Sequence, residues 1–312
     1  MGILAHDGED TFINLPNEPE KALIDLGSTL PSWDLEGTFL ADSAIERYQA
    51  ELASVPLVTE TIESLLAMLS TTGTGYAVVR LGKIADVLGT GKQFLRLATA
   101  ILAEVARPFQ PFRRWPLWKE SGTNLNANPG LSTGTGYNAF HMDLVNATRP
   151  PDYTTLLCVR PDPLGAGASI VSNAREAVSR LTPSSRALLT DAAYAYGGFF
   201  RLADVGQEYK PFPVLDSEPD DRGFVRFTAK MLTESELDEV HANAAKELAG
   251  QMVAGQVSFT LQRGDMLIVN QHRWVRGREP LANGQHDVEP ENRRLLLQLF
   301  LRSTGATEPG AS

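Results

Sequence analysis

The stretch QVSFTLQRGDMLIVNQHRWVRGR, residues 256–278, decides the fold that we predict for this chain. It contains three short runs rich in β-branched, aliphatic and aromatic residues, and turn-forming residues separate them. The runs are 257–261, 266–269 and 273–276. Short runs of this kind that alternate with turns are typical of antiparallel strands. We therefore expect the C-terminal part of the chain to form a sheet of paired strands.

Similar strand patterns lie further out in the chain, and they occur at 75–80, 153–160, 168–171, 223–228 and 294–302. Amphipathic helical patterns precede the strands and also interrupt them, at 42–53, 57–69, 91–106, 173–181, 183–193 and 233–248. Helices followed by strands with a helical insertion favour an α+β fold. We expect two packed antiparallel sheets rather than a doubly wound parallel sheet.

The composition divides the chain into three regions. Residues 1–40 are rich in proline, glycine and acidic side chains, and they predict an extended N-terminal arm with one short helix. Residues 41–304 form a single domain with a helical insertion around 173–250, and 305–312 form a disordered tail. Residues 107–139 are irregular and rich in glycine, proline and aromatic side chains, so they are either a loop over the mouth of a site or an ordinary surface loop.

Charge and cysteine content exclude several classes of function. The 312 residues carry a formal net charge of −10 and contain no clustered basic stripe, which argues against a nucleic-acid partner. No stretch is apolar enough to span a membrane, and residues 1–16 lack the order of a signal peptide. Cys158 cannot form an internal disulfide, and its apolar surroundings favour a buried structural thiol. We expect a cytoplasmic protein, and its oligomeric state stays open.

The run Phe140-His141-Met142-Asp143 carries the first sign of chemistry. On a strand, His141 and Asp143 point to the same face, and their Cα atoms are roughly 7 Å apart at ~3.3 Å per residue. An imidazole and a carboxylate can then converge on one cation. With a second histidine they would form the two-histidine, one-carboxylate face that holds non-haem Fe(II). A bare His-x-Asp pattern is common, so its weight depends on the rest of the chain.

Residues 264–270, GDMLIVN, followed by RWVRGR at 273–278, resemble the clavaminate synthase-like branch of the Fe(II)/2-oxoglutarate oxygenases, which is related to the taurine dioxygenase group. Residues 140–143 resemble the Phe-His-x-acid motif of that family, and the ordered match runs from about 75 to 302. The resemblance implies a double-stranded β-helix, or cupin-like jelly roll. It also implies Fe(II) and 2-oxoglutarate as cofactors, and C–H oxidation of an amino acid or a small intermediate of natural-product biosynthesis.

The same resemblance implies roles for individual residues. His141 and Asp143 correspond to iron ligands. Ser169 and Arg294 correspond to residues that the family directs toward the oxoglutarate carboxylate, and a guanidinium fork suits that group. Arg293 is an adjacent candidate, because strand alternation lets only one of the two arginines face inward. Gln298 stands where the family often has a second basic residue.

Arg276 is the departure from the family pattern, because it stands where the second metal histidine is expected. A guanidinium has no lone pair to give to a metal. A unit charge ~4 Å from a dication costs about 8 kcal/mol at an effective dielectric constant of 20. Arg276 therefore joins His141 and Asp143 as a candidate catalytic residue. Either it points away from the metal, or the metal is weakly held or absent.

Another histidine could replace the missing ligand. The chain has five: His6, His141, His241, His272 and His286. We favour His272 as the third metal ligand, although on a regular strand it lies ~13 Å from Arg276 and needs a bulge to approach. The competing interpretation is a structural histidine bonded to the neighbouring turn.

Three functions are consistent with these residues. The resemblance favours an Fe(II)/2-oxoglutarate-dependent oxygenase with a small, amino-acid-like substrate. The substitution at Arg276 supports a second hypothesis, in which the same fold has lost its metal site and serves as a non-redox enzyme or a small-molecule binding protein. Arg276 would then bind an anion beside His141. In a third, His141 and Asp143 are a structural pair in a β core.

Overall fold

The structure of the protein is a computed structural model, and it describes residues 8–31, 42–112, 115–196, 211–216, 223–234 and 236–303. The strands are Phe12–Asn14 (β1), Tyr76–Arg80 (β2), Arg107–Phe109 (β3), Lys119–Gly122 (β4), Asn138–His141 (β5), Tyr153–Arg160 (β6), Ser169–Asn173 (β7), Gln256–Phe259 (β8), Asp265–Asn270 (β9), Trp274–Arg278 (β10) and Leu295–Arg302 (β11). The α-helices are Asn17–Thr29 (α1), Asp42–Ala53 (α2), Thr59–Leu69 (α3), Gly82–Leu88 (α4), Lys92–Val105 (α5), Ala174–Ser179 (α6), Pro183–Leu188 (α7), Met231–Glu234 (α8) and Glu239–Ala254 (α9).

The strands of the described residues form two sheets. The seven-stranded sheet has the order β1-β2-β9-β6-β11-β3, and β4 also pairs with β11. The four-stranded sheet has the order β5-β10-β7-β8. All pairings are antiparallel except that of β1 with β2. The predicted α+β fold with two packed antiparallel sheets is confirmed, and it is a double-stranded β-helix.

Strand alternation decides which side chains enter the space between the sheets. Leu156 and Leu296 from the larger sheet meet Val171 from the smaller one in an interior cluster. The neighbouring residues Leu157 and Leu297 point the other way, into a core beneath the N-terminal helices. The outer face of the smaller sheet is covered by α6 to α9 in a third cluster. Both faces of each sheet are therefore buried, which explains why the central strands read as nearly continuous apolar runs.

Residues 8–31 pack against this domain, whereas the sequence predicted an extended arm with one short helix over residues 1–40. Ile13 lies on β1, where it pairs in parallel with Val79. The helix α1 buries Leu23 and Leu26 against the core of the larger sheet. Burial of this apolar face outweighs the proline and glycine content that suggested an arm.

The helical insertion predicted around 173–250 corresponds to α6 to α9, although the last helix begins later than expected, at Glu239. The strand predicted at 223–228 is wrong. That segment makes only isolated bridges, from Val225 to Leu215 and from Thr228 to His141. The predicted tail, 305–312, lies outside the described residues.

Among the described helices, none is by itself long and apolar enough to cross a membrane. One bent pair, Ser43–Ala53 with Pro56–Leu69, has the necessary length and composition only when the two helices are taken together.

The turn that leads into β9 requires glycine at 264. Gly264 has a φ of +85°, and a Cβ there would lie 2.7 Å from the Cα of Gly82. Gly165 has a similar φ of +79°, but nothing lies within 4 Å of its would-be Cβ. We expect Gly165→Ala to lower the free energy of unfolding by about 1 kcal/mol and Gly264→Ala by about 2–4 kcal/mol, since only the second adds a backbone clash. Chemical denaturation of both variants checks this, and equal losses would contradict it.

Candidate active site

The strand β5 delivers His141 to the edge of the interior, and Asp143 follows just beyond the strand end. His141 pairs with Arg276 on β10 and forms a bridge with Thr228. The backbone N–H of Asp143 donates to the Gln271 side-chain oxygen at 2.6 Å. Pairing on one side and this hydrogen bond on the other bring both predicted residues to the same cavity.

Arg276 lies against Asp143 and engages both carboxylate oxygens. Its Nε donates to Oδ2 at 2.8 Å and its Nη2 donates to Oδ1 at 2.6 Å. Burial by itself would raise the pKa of Asp143, but the Arg276 guanidinium outweighs it and holds that pKa well below its usual range. Asp143 is therefore ionised, and its charge is balanced by a fixed cation from its own chain.

His141 is a neutral imidazole at ordinary pH. Burial, together with the nearby charge of Arg276, lowers the pKa of His141 to about 4. Its Nδ1 lies 2.9 Å from the carbonyl oxygen of Ala139, which can only accept a hydrogen bond. The proton is therefore on Nδ1, and Nε2 keeps a lone pair that can bind a metal or accept a proton.

A cavity of about 700 Å³ opens beside His141, Asp143 and Arg276. Segments from the irregular region 107–139 form much of its wall, including Leu131 and Tyr137. The prediction that this region lies over a site, rather than elsewhere on the surface, agrees with these positions.

Ser169 and Arg294 lie together in a separate, smaller space, beside Cys158 and Asp162. Arg294 is 7% exposed, and burial, with the charge of neighbouring guanidinium groups, lowers its pKa to about 10. Within the described residues it makes no ion pair with a carboxylate. Arg293 instead donates from its Nε to the carbonyl of Val288. Of the two adjacent arginines, Arg294 is thus the one that faces inward.

His272 does not join the His141–Asp143 pair. Its Nε2 lies 2.6 Å from Oδ1 of Asp152, and its ring stacks on Phe224 with centroids 4.0 Å apart. These contacts support a structural role for His272 rather than the ligand role, although its side chain bonds to the distant Asp152 and not to the neighbouring turn.

The remaining histidines lie elsewhere. His241 contacts Asp238 and Asp191 at the start of α9, and His286 is exposed. His6 lies outside the described residues. Over the described part of the chain, no group of three histidine, cysteine or acidic side chains is arranged to hold a metal.

Comparison with known proteins places this geometry in a family. The model of the TauD/TfdA family, described as taurine catabolism dioxygenase, matches residues 47–299. The chain belongs to this family. An L-asparagine oxygenase of Streptomyces coelicolor is 28% identical over 193 residues, which are 59% of this chain and 53% of that protein. The chain thus matches about half the length of that relative.

Two solved oxygenase structures share the fold over almost the whole chain. An asparagine oxygenase in complex with Fe(II), 2S,3S-3-hydroxyasparagine and succinate has a TM-score of 0.74 at 19% identity and covers 94% of both chains. The non-haem iron oxygenase OrfP in complex with Fe and alpha-ketoglutaric acid has a TM-score of 0.72 at 16% identity, covering 94% of this chain and 93% of that one. Both structures hold iron, and the second holds alpha-ketoglutaric acid, which is 2-oxoglutarate, so they agree with the cofactors that the resemblance implied.

The candidate site of this chain contains donor groups of the type that binds iron. It contains fewer of them than the three protein ligands expected. The Nε2 lone pair of His141 and the carboxylate of Asp143 are donors that Fe(II) accepts. The third protein ligand is absent from the described residues, and Arg276 engages both oxygens of Asp143. A metal at Asp143 would therefore have to share the carboxylate with the Arg276 guanidinium or displace it.

Several residues at the site were not predicted from the sequence. Gln271 positions the backbone of Asp143, and Thr154 is held by Gln298 at 3.3 Å and also contributes a hydrogen bond that lowers the pKa of Asp143. Lys119 lines the cavity. Arg278 is buried and donates to the carbonyls of Gly134 and Gly136. Of these residues, only Arg278 could have been predicted from the sequence, because strand alternation puts it on the same face as Arg276.

The lowered pKa of His141 predicts a pH dependence of stability in the metal-free protein. The folded-state pKa of about 4 lies below the ordinary value, so the unfolded chain binds a proton at His141 more readily than the folded protein does. Above pH ~6.5 both states are neutral and stability is highest. As the pH falls toward 4, protonation of the unfolded chain lowers the free energy of unfolding. We expect a loss of about 3 kcal/mol in the free energy of unfolding from this group. Urea denaturation between pH 7 and pH 4 measures it. His141→Gln should flatten this slope, the exposed control His286→Gln should not, and parallel profiles for all three proteins would contradict the assignment.

Proposed function

We propose that this chain is an Fe(II)- and 2-oxoglutarate-dependent oxygenase that hydroxylates, or otherwise oxidises at a C–H bond, an amino acid or a closely related small molecule. One observation carries the proposal: His141 and Asp143 meet in the interior cavity of a TauD/TfdA-family fold. The relatives that hold iron with hydroxyasparagine or oxoglutarate support the same reaction class and an amino-acid-like substrate.

Two side chains would hold the metal in this proposal, and they are His141 through Nε2 and Asp143 through its carboxylate. Bound iron with oxoglutarate and dioxygen supplies an oxidant strong enough to replace a C–H bond by C–OH. The chain contributes a neutral donor of fixed tautomer, because the Ala139 carbonyl keeps the proton on Nδ1. It also contributes a carboxylate that is ionised at every pH of interest, because Arg276 holds its pKa down.

Oxoglutarate would bind through its carboxylate to Arg294 and Ser169. A buried guanidinium without a carboxylate partner is costly, and a bound dicarboxylate would offset that cost with two parallel charge-assisted hydrogen bonds. Ser169 pairs with Arg278 across β7 and β10, and it lines the same small space as Arg294. The apolar side chains of Leu144 and Phe300 line the cavity and would limit water near the reacting carbon.

Arg276 acts as a substitute cation in this proposal. It keeps Asp143 ionised and oriented while no metal is bound. Iron and the guanidinium then compete for one carboxylate, and iron affinity is lower than a site with a histidine at 276 would give.

A second function is favoured by the same ion pair. If Arg276 never leaves Asp143, the cavity serves a metal-independent enzyme or a small-molecule binding protein. Arg276 has its own carboxylate in Asp143, so an external anion would meet other cations of the cavity rather than Arg276. This differs from the hypothesis that Arg276 itself binds an anion beside His141.

Turnover distinguishes the two functions. We expect anaerobically loaded Fe(II) protein, supplied with oxoglutarate, oxygen and a panel of amino acids, to release succinate in step with oxygen uptake when the correct substrate is present. Asp143→Ala should abolish the coupled signal, because it removes a ligand. Arg294→Lys should raise the KM for oxoglutarate by about tenfold or more, because it removes the bidentate fork. Folded protein without coupled turnover for any candidate would favour the second function.

Metal affinity tests the role of Arg276. We expect Arg276→His to raise the affinity for Fe(II), measured anaerobically by calorimetry, by at least tenfold, because it adds a donor and removes a competing cation. Arg273→His is the matched control on the adjoining turn, since Arg273 donates to the carbonyls of Ser70, Thr71 and Gly73. Unchanged affinity in Arg276→His would show that position 276 does not stand where the metal binds.

A further inference from the structure

The hydroxyl group of Thr154, on β6, gives its proton to Asp143. Arg276 engages both oxygens of Asp143 with hydrogen bonds of 2.8 and 2.6 Å, so this carboxylate is ionised and can only accept. Thr154 forms a further side-chain hydrogen bond with the same carboxylate. Because a hydroxyl has a single proton, Thr154 is the donor in that bond and keeps only lone pairs for its other partners.

This direction fixes the side-chain amide of Gln298, on β11. The nitrogen of the amide lies 3.3 Å from the Thr154 hydroxyl oxygen, which can only accept here. The two ends of an amide have the same shape, and the hydrogen-bond network decides between them. An amide oxygen at this position would meet no donor, so Gln298 presents its NH2 group to Thr154.

The carbonyl oxygen of Gln298 is then left for the cavity beside His141. Gln298 lines that cavity and is 6% exposed, and within the described part of the chain its one hydrogen bond is that to Thr154. Lys119 is its neighbour across β4 and β11, but the Lys119 ammonium lies over the Trp115 ring, 3.8 Å from its centre. A largely buried carbonyl oxygen without a donor is costly, so a ligand that brings an N–H or O–H group to it is favoured.

Oxoglutarate cannot supply that donor. Its two carboxylates and its keto group only accept hydrogen bonds, so they would be repelled by the amide oxygen of Gln298. A fixed acceptor in the cavity wall also separates substrate groups of the same shape. A carboxamide can donate to it, whereas the isosteric carboxylate cannot, and a site built around such a hydrogen bond discriminates strongly against the analogue that lacks it.

We propose that Gln298 is a specificity-determining residue, whose carbonyl oxygen binds a hydrogen-bond donor of the substrate, such as the N–H of a primary amide, an ammonium group or a hydroxyl. Thr154 is a positioning residue, because it holds the amide in this orientation without touching the substrate. The assignment rests on the proposed function for the identity of the cavity as the substrate site.

The ratio of the affinities for an amide and its isosteric acid tests the proposal. Calorimetry on the metal-free protein with oxoglutarate present measures it for L-asparagine against L-aspartate and for L-glutamine against L-glutamate. We expect Thr154→Val to lower the ratio at least tenfold, because the released amide of Gln298 can turn its NH2 group toward a carboxylate. Thr154→Ser should keep the wild-type ratio. Lys119 is the same in every variant, so its attraction for an acid cancels in the comparison.

Thr155→Val is the matched control. Thr155 is the next residue on β6, it is fully buried, and its hydroxyl has no hydrogen-bond partner among the described residues. The same change of side chain there removes no hydrogen bond, so the ratio should stay at the wild-type value. Gln298→Met, which removes the acceptor itself, should lower the ratio as Thr154→Val does. Thermal melts establish that each variant is folded.

The other outcomes overturn the assignment. Equal ratios in Thr154→Val and Thr155→Val would do so, as would no measurable binding of any of the four amino acids. If Thr154→Val changes the affinity for Fe(II) but not the ratio, the acceptor serves a water molecule near the metal and not the substrate.

Failure of the oxygenase function looks different from failure of this inference. In the first case the effect of Thr154→Val on the ratio would be present while coupled succinate release is absent. In the second, coupled turnover would be observed while Thr154→Val leaves the ratio unchanged.

Discussion

The buried ion pair between Arg276 and Asp143 is the interaction on which the rest of the site depends. It joins β10 to the segment after β5 by two hydrogen bonds of 2.8 and 2.6 Å. Two desolvated charges are costly to bury, and the pair is tolerated only because its geometry is bidentate and Thr154 adds a further hydrogen bond to the carboxylate. Loss of one partner would leave an uncompensated charge in the interior, so neither residue can change alone without consequence.

This pair also decides the electrostatic character of the interior. Arg276 neutralises the carboxylate that lies beside His141, so this pair adds no net charge to the cavity. The other charges nearby include Lys119, which lines the cavity, and Arg294, which lines a smaller space together with the carboxylate of Asp162. Arg278 adds a third guanidinium whose Nε and Nη1 have no partner among the described residues. The guanidinium of Arg294 suits a carboxylate of the proposed cosubstrate, 2-oxoglutarate.

Family membership and site chemistry are separate kinds of information here. The TauD/TfdA match covers residues 47–299 and accounts for the sheets, their order and the cavity. One arginine in the middle of β10, Arg276, changes what the cavity can hold, because a guanidinium provides charge but no lone pair. Family membership therefore supports the reaction class, while in our proposal a single side chain, Arg276, would set how readily a metal enters. Function resides in such sites more than in the scaffold.

The sequence by itself determined the strands β6, β9 and β11, since their apolar composition and bounding turns are local properties. It also identified His141, Asp143 and Arg276 as the unusual set, from motif order alone. The partner of Arg276 was decided only by tertiary structure, because the two residues are 133 positions apart and meet through the register of β10 with β5. The position of His272 outside the site was also decided by tertiary structure, because its hydrogen bond to Asp152 joins residues that are 120 positions apart. Local pattern predicts which residues carry chemistry, and long-range pairing decides which of them meet.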